Sequence, residues 1–363
     1  MKNFGFGCMR LPMKDNEVDL IQFSKMIELF MNNGFTYFDT AHGYLGGKSE
    51  MAIKECLTSK YPRESYQLTN KLTGNYFNSQ EEIIPLFNEQ LKACGVTYFD
   101  YYLMHAQNKA LFEKFKKCKA YETSIQLLKE GKIKHFGISF HDKADVLEQI
   151  LVEYPEIEVV QIQFNYLDYN SASVEGKKCY EVARKHNKEV LIMEPVKGGA
   201  LINLPKEAQE VFDKLNGGSN ASYAIRFAAS FEGVKMVLSG MSNIEQMEDN
   251  ISFMKDFKPF TKQEFDAVNK VCDIFNKQNL IACTACRYCM DGCIKNIPIP
   301  EIFSCMNEKK KYNDWNSNYY YNISTSNKGK ASDCIKCGKC EKLCPQYLPI
   351  RDLLVEAKDI FEK

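Results

Sequence analysis

Short β-prone runs alternate with longer amphipathic segments along the first 260 residues of the chain. Apolar residues recur with helical spacing over residues 20–31, 82–91, 121–128, 146–152 and 179–186. The short runs favour strands over residues 4–7, 37–39, 66–69, 99–104, 135–138, 159–162, 190–192 and 236–238. Alternation of this kind indicates parallel βα units, and about eight units in roughly 250 residues predict an α/β fold, the (β/α)8 TIM barrel.

A doubly wound α/β sheet is the main alternative for this pattern. That fold binds a dinucleotide through a G-x-G-x-x-G turn directly after its first strand. Here Gly5-x-Gly7 leads to Arg10, so the third glycine is missing. The absence of this fingerprint favours the barrel.

Two cysteine runs with one spacing lie beyond the predicted barrel. They are Cys283-x2-Cys286-x2-Cys289-x3-Cys293 and Cys334-x2-Cys337-x2-Cys340-x3-Cys344-Pro345. Four thiolates at this spacing are typical of ligands for a [4Fe–4S] cluster, with three close cysteines on one cluster and the fourth on the other. The predicted ligand sets are Cys283, Cys286, Cys289 and Cys344 for one cluster, and Cys334, Cys337, Cys340 and Cys293 for the other.

These runs resemble those of bacterial two-cluster ferredoxins, although Ile294 rather than a proline follows the first run. Zinc is the alternative metal, but zinc sites usually use separated C-x2-C pairs. Disulfides fit less well, because the seven cysteines outside the runs form no framework. Scattered free thiols of this kind indicate a reducing compartment, so a cytoplasmic protein is expected.

The two patterns predict the domains. Residues 1–260 form the barrel, residues 261–279 a bridging helix, and residues 280–363 a ferredoxin-like domain ending in a helix. The stretch between the cysteine runs is polar and aromatic, and it holds Trp315, the only tryptophan. Because aromatic side chains are more often buried than exposed, packing of this stretch on the barrel is favoured over a partner-docking loop.

Charge and hydropathy give no indication of a large polyanionic partner. Lys plus Arg and Asp plus Glu number 47 each, so the net charge is zero, and neither nucleic acid nor an anionic membrane is an expected partner. No window approaches about 18 uninterrupted apolar residues, which predicts no membrane span. The N-terminal segment also lacks the apolar run of a signal peptide.

Polar residues follow the second, third and fourth predicted strands, where TIM barrels carry their function. They are Asp39, Tyr44, Lys71 and His105, in the segments Phe38-Asp39-Thr40-Ala41-His42-Gly43-Tyr44, Leu68-Thr69-Asn70-Lys71 and Leu103-Met104-His105. These segments resemble the aldo/keto reductase family, whose catalytic tetrad is Asp, Tyr, Lys and His in this order. The resemblance covers about residues 1–255, and the cysteine runs extend it to the ferredoxin-fused branch of that family.

The resemblance implies a role for each residue of the tetrad. Tyr44 would be the general acid and base, and since a free tyrosine has a pKa of about 10, the ammonium of Lys71 would be needed to stabilise its phenolate. Asp39 would hold Lys71 charged, and His105 would orient the substrate carbonyl. Each residue also has a purely structural interpretation: a buried Asp–Lys pair can simply be structural, and His105 can be a core histidine.

The same resemblance implies a nicotinamide dinucleotide at the barrel mouth. Ser139 and Gln161 match the residues that hold the carboxamide, and Met193 occupies the position of a ring-stacking tyrosine. Gly240 and Gln246 stand where cations for the NADP 2′-phosphate are frequent in the family, and Asn250 matches an adenine contact. NADP and NAD both remain open, and NADP would need a cation such as Lys197.

The predicted function is an NAD(P)-dependent oxidoreductase that interconverts a carbonyl and an alcohol. The two [4Fe–4S] clusters would relay electrons to a ferredoxin or flavoprotein partner. Nicotinamide transfers two electrons as hydride whereas each cluster carries one, so purely structural clusters are an alternative. The other alternative is a non-catalytic binding module that senses redox state. The sequence does not define the substrate beyond a small carbonyl compound or alcohol.

Overall fold

A closed barrel of parallel strands forms the first of two compact units. The computed structural model describes residues 3–171, 174–215, 217–312 and 316–362. The first unit comprises residues 1–195 and 221–261, and the second comprises residues 196–220 and 262–363. The segment that follows the penultimate barrel strand therefore belongs to the same unit as the cysteine runs.

The eight barrel strands occur where the sequence pattern predicts them, and a short hairpin at residues 13–18 is additional. Among the described residues they are β1 (Phe4–Gly7), β2 (Met13–Lys14), β3 (Glu17–Val18), β4 (Tyr37–Asp39), β5 (Gln67–Leu72), β6 (Phe99–Gln107), β7 (Ile133–Phe140), β8 (Val159–Gln163), β9 (Glu189–Met193) and β10 (Val234–Ser239). The barrel order is β1-β10-β9-β8-β7-β6-β5-β4, whereas β2 and β3 form a separate antiparallel hairpin. The predicted (β/α)8 barrel is confirmed.

The helices follow the strands, as expected for βα units. In the first unit they are α1 (Leu20–Asn32), α2 (Lys48–Ile53), α3 (Ile83–Cys94), α4 (Lys109–Lys117), α5 (Ala120–Lys129), α6 (Ala144–Glu153), α7 (Gly176–Lys185), α9 (Asn220–Ala229) and α10 (Ile244–Met254), with α8 (Lys206–Asp213) in the second unit. Helices on the outside and side chains on the inside bury both faces of the strands. Inside the barrel, Tyr37, Tyr101 and Leu191 belong to one buried apolar cluster.

The second unit has its own apolar core. Its remaining helices are α11 (Lys262–Gln278), α12 (Tyr288–Asp291), α13 (Ile299–Tyr312), α14 (Asn316–Thr325), α15 (Lys339–Lys342) and α16 (Ile350–Phe361). The core joins α13 and α16 to residues of both cysteine runs, including Cys289 and Cys340. The unit therefore buries enough apolar surface to fix the two runs relative to each other.

The aromatic stretch between the cysteine runs forms α13 and α14. On α14 the ring of Tyr321 is buried and stacks on Phe361 with ring centroids 4.7 Å apart. The neighbouring Tyr319 and Tyr320 are exposed. Trp315 lies outside the described residues, and packing of this stretch on the barrel stays a prediction. Among the described residues, every helix is too short or too polar to traverse a lipid bilayer.

Candidate active site and cluster sites

The barrel brings the predicted tetrad together at the carboxyl ends of its strands. Asp39 ends β4, Lys71 lies near the end of β5, and His105 lies near the end of β6. Tyr44 begins a short 3-10 turn that follows β4. Because these three strands are consecutive neighbours in the barrel, their ends meet at one site.

A buried ion pair lies at the centre of this site. Lys71 Nζ is 2.6 Å from Asp39 Oδ1 and also donates to the backbone oxygen of Thr40 at 2.7 Å. Both charged side chains are almost fully buried. Burial lowers the pKa of Lys71, and the charge of Asp39 opposes that shift. Burial and the Asp39 charge thus shift the pKa of Lys71 in opposite directions, which is typical of a group tuned for chemistry.

Tyr44 lies near both Lys71 and His105. The Lys71 ammonium is 5.1 Å from the centre of the Tyr44 ring. The rings of Tyr44 and His105 meet edge to face with centroids 5.9 Å apart. Tyr44 is only partly buried, so its ring remains accessible to a small molecule.

His105 is held neutral. Burial and the positive charge of Lys71 keep the pKa of His105 well below its usual range. Its Nδ1 lies 2.7 Å from the hydroxyl of Thr73, which fixes the ring orientation. A neutral imidazole that is engaged at Nδ1 retains Nε2 for an external hydrogen-bond partner.

A polar network behind Lys71 escaped the sequence analysis. Glu50 is buried and accepts hydrogen bonds from Asn70 Nδ2 at 2.7 Å, and it contacts His42 Nδ1 at 2.8 Å. Asn70 Oδ1 in turn accepts the backbone N–H of Lys71 at 2.8 Å. Adjacency in sequence to the tetrad was the available signal for Asn70. Nothing in the linear pattern indicated that Glu50 would be buried.

Two further titratable residues adjoin the site. Burial and the charge of Asp39 raise the pKa of the Cys8 thiol, which follows β1. Burial and the charge of Lys71 lower the pKa of His141 to about 4. Both residues lie directly after barrel strands, and this position was the signal that could have indicated them.

The residues predicted to hold the nicotinamide are buried at the same end of the barrel. The Ser139 hydroxyl accepts the backbone N–H of Ala106 at 2.7 Å. Gln161 donates to the second carboxylate oxygen of Asp39 at 3.1 Å. Met193 is partly exposed at the end of β9. Gln161 therefore links the candidate cofactor position to Asp39 of the tetrad by a direct hydrogen bond, and Ser139 binds the backbone next to His105.

The residues predicted to bind the adenosine half of the cofactor lie after β10 and on α10. Asn250 is buried and donates to the hydroxyl of Ser239 at 2.8 Å. Gly240 is exposed and directly follows β10. Gln246 is folded back, since its side-chain oxygen accepts the backbone N–H of Ser242 at 2.8 Å.

Arg10 supplies a cation beside Gly240. A Cβ atom placed on Gly240 would lie only 3.6 Å from the Arg10 side chain. The guanidinium is 3.8 Å from Glu194 and remains about one third exposed, while the Ser242 hydroxyl donates to the Arg10 backbone oxygen at 2.8 Å. The sequence analysis missed this residue because Arg10 is more than 200 residues from Gly240 in the chain.

Lys197 lies in the second unit and is buried there. Its ammonium donates to Gln346 Oε1 at 3.3 Å, and Gln346 is two residues beyond Cys344. The adjacent Gly198 has a positive φ of 63°, and a Cβ there would approach the backbone oxygen of Thr284 to 2.2 Å. Only glycine fits this contact, which ties the loop after β9 to the first cysteine run.

One predicted ligand set lines a pocket in the second unit. The pocket has an empty volume of about 370 Å³, part of it open to solvent, and its lining includes Cys293, Cys334, Cys337 and Cys340. The other lining residues include Ile297, Ile299 and Leu354. Four thiols in an apolar pocket, with one of them drawn from the other run, fit a [4Fe–4S] cluster.

The thiols of the other predicted set lie near one another. Burial raises the pKa of the Cys289 thiol, and the nearby thiols of Cys286, Cys283, Cys344 and Cys340 raise it further. Mutual repulsion of this kind disappears when the thiolates bind iron, because the metal supplies the opposite charge. Among the described residues, no three His, Cys, Asp or Glu side chains converge as a single metal ion would require.

A closed (β/α)8 barrel with a polar site at its strand ends defines the class of protein. Residues 3–273 match the model of the aldo/keto reductase family, and the chain belongs to this family. Residues 282–349 match the model of a 4Fe-4S dicluster domain. The predicted family and the predicted C-terminal ferredoxin-like domain are confirmed.

Solved structures of similar fold cover the barrel. The aldo-keto reductase AKR11C1 from Bacillus halodurans aligns with a TM-score of 0.61 at 21% identity, over 74% of this chain and 91% of that one. An aldo-keto reductase from Klebsiella pneumoniae in complex with NADPH aligns with a TM-score of 0.61 at 17% identity, over 74% of this chain and 90% of that one. Identities this low support the fold alone.

A curated relative matches a shorter segment. It is 4-dihydromethyl-trisporate dehydrogenase from Mucor mucedo, 36% identical over 106 residues. The match covers 28% of this chain and 30% of that relative.

Proposed function

We propose that this protein is an NADP(H)-dependent oxidoreductase that interconverts a small carbonyl compound and an alcohol. The observation that carries the proposal is the Lys71–Asp39 ion pair with the rings of Tyr44 and His105 beside it. The relative from Mucor mucedo is a dehydrogenase, and the Klebsiella pneumoniae structure is in complex with NADPH, which supports the same chemistry.

Each residue of the constellation has a defined task. The Tyr44 hydroxyl donates a proton to the carbonyl oxygen in reduction and recovers it in oxidation. The Lys71 ammonium stabilises the Tyr44 phenolate, and Asp39 stabilises that ammonium in its buried position. His105 is neutral and its Nδ1 contacts the Thr73 hydroxyl. In the tautomer that carries its proton on Nε2, that N–H donates to the substrate oxygen and orients it.

The nicotinamide, when bound, supplies or accepts the hydride. Ser139, Gln161 and Met193 form its binding position, since Gln161 hydrogen-bonds Asp39 and Ser139 hydrogen-bonds the backbone of Ala106, the residue after His105. Arg10 binds a phosphate of the dinucleotide near Gly240 and replaces the cation that Gly240 and Gln246 lack. This residue is the reason for favouring NADP over NAD.

The C-terminal unit holds two [4Fe–4S] clusters that relay single electrons. One cluster is held by Cys283, Cys286, Cys289 and Cys344, and the other by Cys293, Cys334, Cys337 and Cys340. The pocket lined by Cys293, Cys334, Cys337 and Cys340 supports this division. Cys337→Ala is expected to lose about half of the iron, whereas Cys272→Ala, outside both runs, keeps all of it.

The carbonyl activity is tested with the iron-loaded protein, NADPH and a panel of small aldehydes and ketones. Turnover followed by NADPH absorbance is expected to fall by about 100-fold or more in Tyr44→Phe, because the proton donor is removed. Tyr76→Phe is the matched control, since Tyr76 packs edge to face on His42 outside the tetrad. Tight NADPH binding without turnover of any carbonyl would support the sensing alternative and refute the proposal.

A further inference from the structure

The pocket of four cysteines opens at an exposed rim. Cys337 is exposed, as are the two isoleucines that directly follow Cys293 and Cys334 in sequence. Ile294 and Ile335 both line the pocket, yet they expose 70% and 53% of their surface. Two large apolar side chains at the mouth of a redox pocket are therefore left to solvent, where a partner surface can cover them.

Lysines surround this rim. Lys295 lines the pocket and follows Ile294, Lys336 follows Ile335, and Lys339 begins α15. All three are exposed. Over the part of the chain that the structure describes, none of these three ammonium groups lies within ion-pair distance of a carboxylate. The cluster rim, defined as Ile294, Lys295, Ile335, Lys336, Cys337 and Lys339, is thus apolar at its centre and basic at its edge.

Of the acidic groups near the rim, Glu341 is paired with a cation and Asp333 only with a backbone N–H. Glu341 accepts two hydrogen bonds from Arg351, at the side chain and the backbone. Asp333 accepts the backbone N–H of Lys330 at 2.7 Å. Asp291 is the remaining exposed carboxylate at the end of α12. Because the Arg351–Glu341 pair is neutral, the three rim lysines exceed the other two carboxylates, Asp333 and Asp291, by one positive charge.

We propose that the cluster rim is the docking surface for an acidic one-electron carrier protein. A positive surface attracts an acidic partner over about 8–10 Å at physiological ionic strength and increases the rate of encounter. Small apolar contacts inside a charged edge suit brief redox encounters, which bury less surface than stable complexes. The surface fits this partner better than a second copy of this neutral chain.

The electron transfer balances with one electron. The reduced carrier is oxidised by one electron, and the cluster at Cys293, Cys334, Cys337 and Cys340 is reduced by one electron. No bond forms and no proton moves. The inference rests on the proposed cluster sites but not on the proposed carbonyl chemistry, because docking requires neither nicotinamide nor carbonyl substrate.

The test measures binding directly. The iron-loaded protein is titrated with oxidised flavodoxin, an acidic FMN protein, at low and at high salt, and the change in flavin fluorescence gives Kd. Lys336→Glu/Lys339→Glu is expected to weaken binding by about tenfold or more at low salt and much less at high salt. Lys25→Glu/Lys129→Glu on α1 and α5 makes the same charge change on the barrel and should leave Kd unchanged.

A second variant separates the apolar contact from the charge. Ile335→Ser is expected to weaken binding by a similar factor at both salt concentrations, because it removes apolar contact and no charge. Iron content and reduction potential are measured on every variant. If the charge-reversed variant shifts the reduction potential but binds flavodoxin as the parent does, the lysines only balance cluster charge and the proposal is overturned.

A second copy of this chain is the alternative occupant of the cluster rim. Analytical ultracentrifugation of the parent that shows a concentration-dependent dimer, abolished by Ile335→Ser, would overturn the proposal in favour of an interface between copies. Equal Kd in the parent, the rim variant and the barrel variant would also overturn it. A loss of carbonyl turnover with intact flavodoxin binding refutes the carbonyl activity and leaves the docking surface standing.

Discussion

Lys71 Nζ lies 2.6 Å from Asp39 Oδ1 inside the barrel, and both side chains are shielded from water. An isolated ammonium in such a position costs several kcal/mol and would lose its proton. Asp39 prevents that loss, while burial still lowers the pKa of Lys71. The ion pair is therefore a device for keeping a cation beside Tyr44.

Removing the negative charge of Asp39 should lower activity and shift its pH dependence. In Asp39→Asn the pKa of Lys71 falls further, because burial is no longer opposed. Turnover should drop by about 100-fold, and the alkaline limb of the pH–rate profile should move to lower pH. The profile of kcat against pH checks both. Asp100→Asn removes another buried ion pair of the barrel, that with Arg63, and should leave the profile unchanged.

The stability of the barrel should decrease on mild acidification. The pKa of His105 is far below its unfolded value of about 6.5, so below that pH the unfolded chain binds a proton that the folded chain excludes. Stability from this residue is complete above about pH 6.5 and declines as the pH falls through that value. Thermal midpoints by circular dichroism should show this decline, and His105→Gln should reduce it.

The stability contributed by His42 should depend on pH in the opposite direction, and the same thermal midpoints measure it. The hydrogen bond to Glu50 raises the pKa of His42 above its unfolded value. Its contribution is present below about pH 6.5 and is lost as the pH rises through the raised value. A steeper acid-induced decline in His42→Gln agrees with this account, whereas an unchanged slope in both variants contradicts it.

Arg10→Ala should weaken NADPH more than NADH. A guanidinium that pairs with the 2′-phosphate contributes charge-assisted hydrogen bonds that NADH cannot form. We expect KM for NADPH to rise about tenfold and KM for NADH to change little. Lys14→Ala, on the exposed hairpin strand β2, is the control. An equal rise for both cofactors would assign Arg10 to the pyrophosphate, and no rise would exclude it from the site.

Gly198→Ala should release iron from the second unit. The new Cβ would collide with the Thr284 backbone oxygen, between Cys283 and Cys286, and alanine also strains at a φ of 63°. Gly199→Ala is a close control, because Gly199 has a φ of 98° but nothing within 4 Å of its Cβ position. Iron per chain should fall more in Gly198→Ala. Equal iron in both variants would show that the contact does not matter.

Lys197→Met should lower the reduction potential of the cluster assigned to Cys344. The buried ammonium of Lys197 lies against Gln346, so its charge favours the more negative, reduced form. We expect a decrease on the order of 50 mV, seen by potentiometric titration with electron paramagnetic resonance. Lys358→Met on exposed α16 surface should shift the potential by much less. An unchanged potential in Lys197→Met would place the ammonium away from the cluster.

Local signals in the sequence determined the fold and the chemistry-bearing residue types. Strand periodicity is a property of adjacent residues, so β4 to β10 were predictable before any contact was known. The cysteine spacing is equally local, because three ligands of one cluster come from a single short C-x2-C-x2-C segment. The tetrad was predictable because a barrel places the residues that end its strands at one face.

The tertiary structure decided what lies around those residues. Arg10 reaches Gly240 only because β1 closes the barrel against β10. Glu50 is buried because α2 packs against β5, where Asn70 donates to its carboxylate. The periodic pattern of the sequence does not indicate this contact. Lys197 belongs with the cysteine unit, although its sequence position suggested the barrel mouth. Contacts between distant segments depend on how whole elements pack. For that reason the sequence indicated the candidate reacting groups, while the fold determined their neighbours.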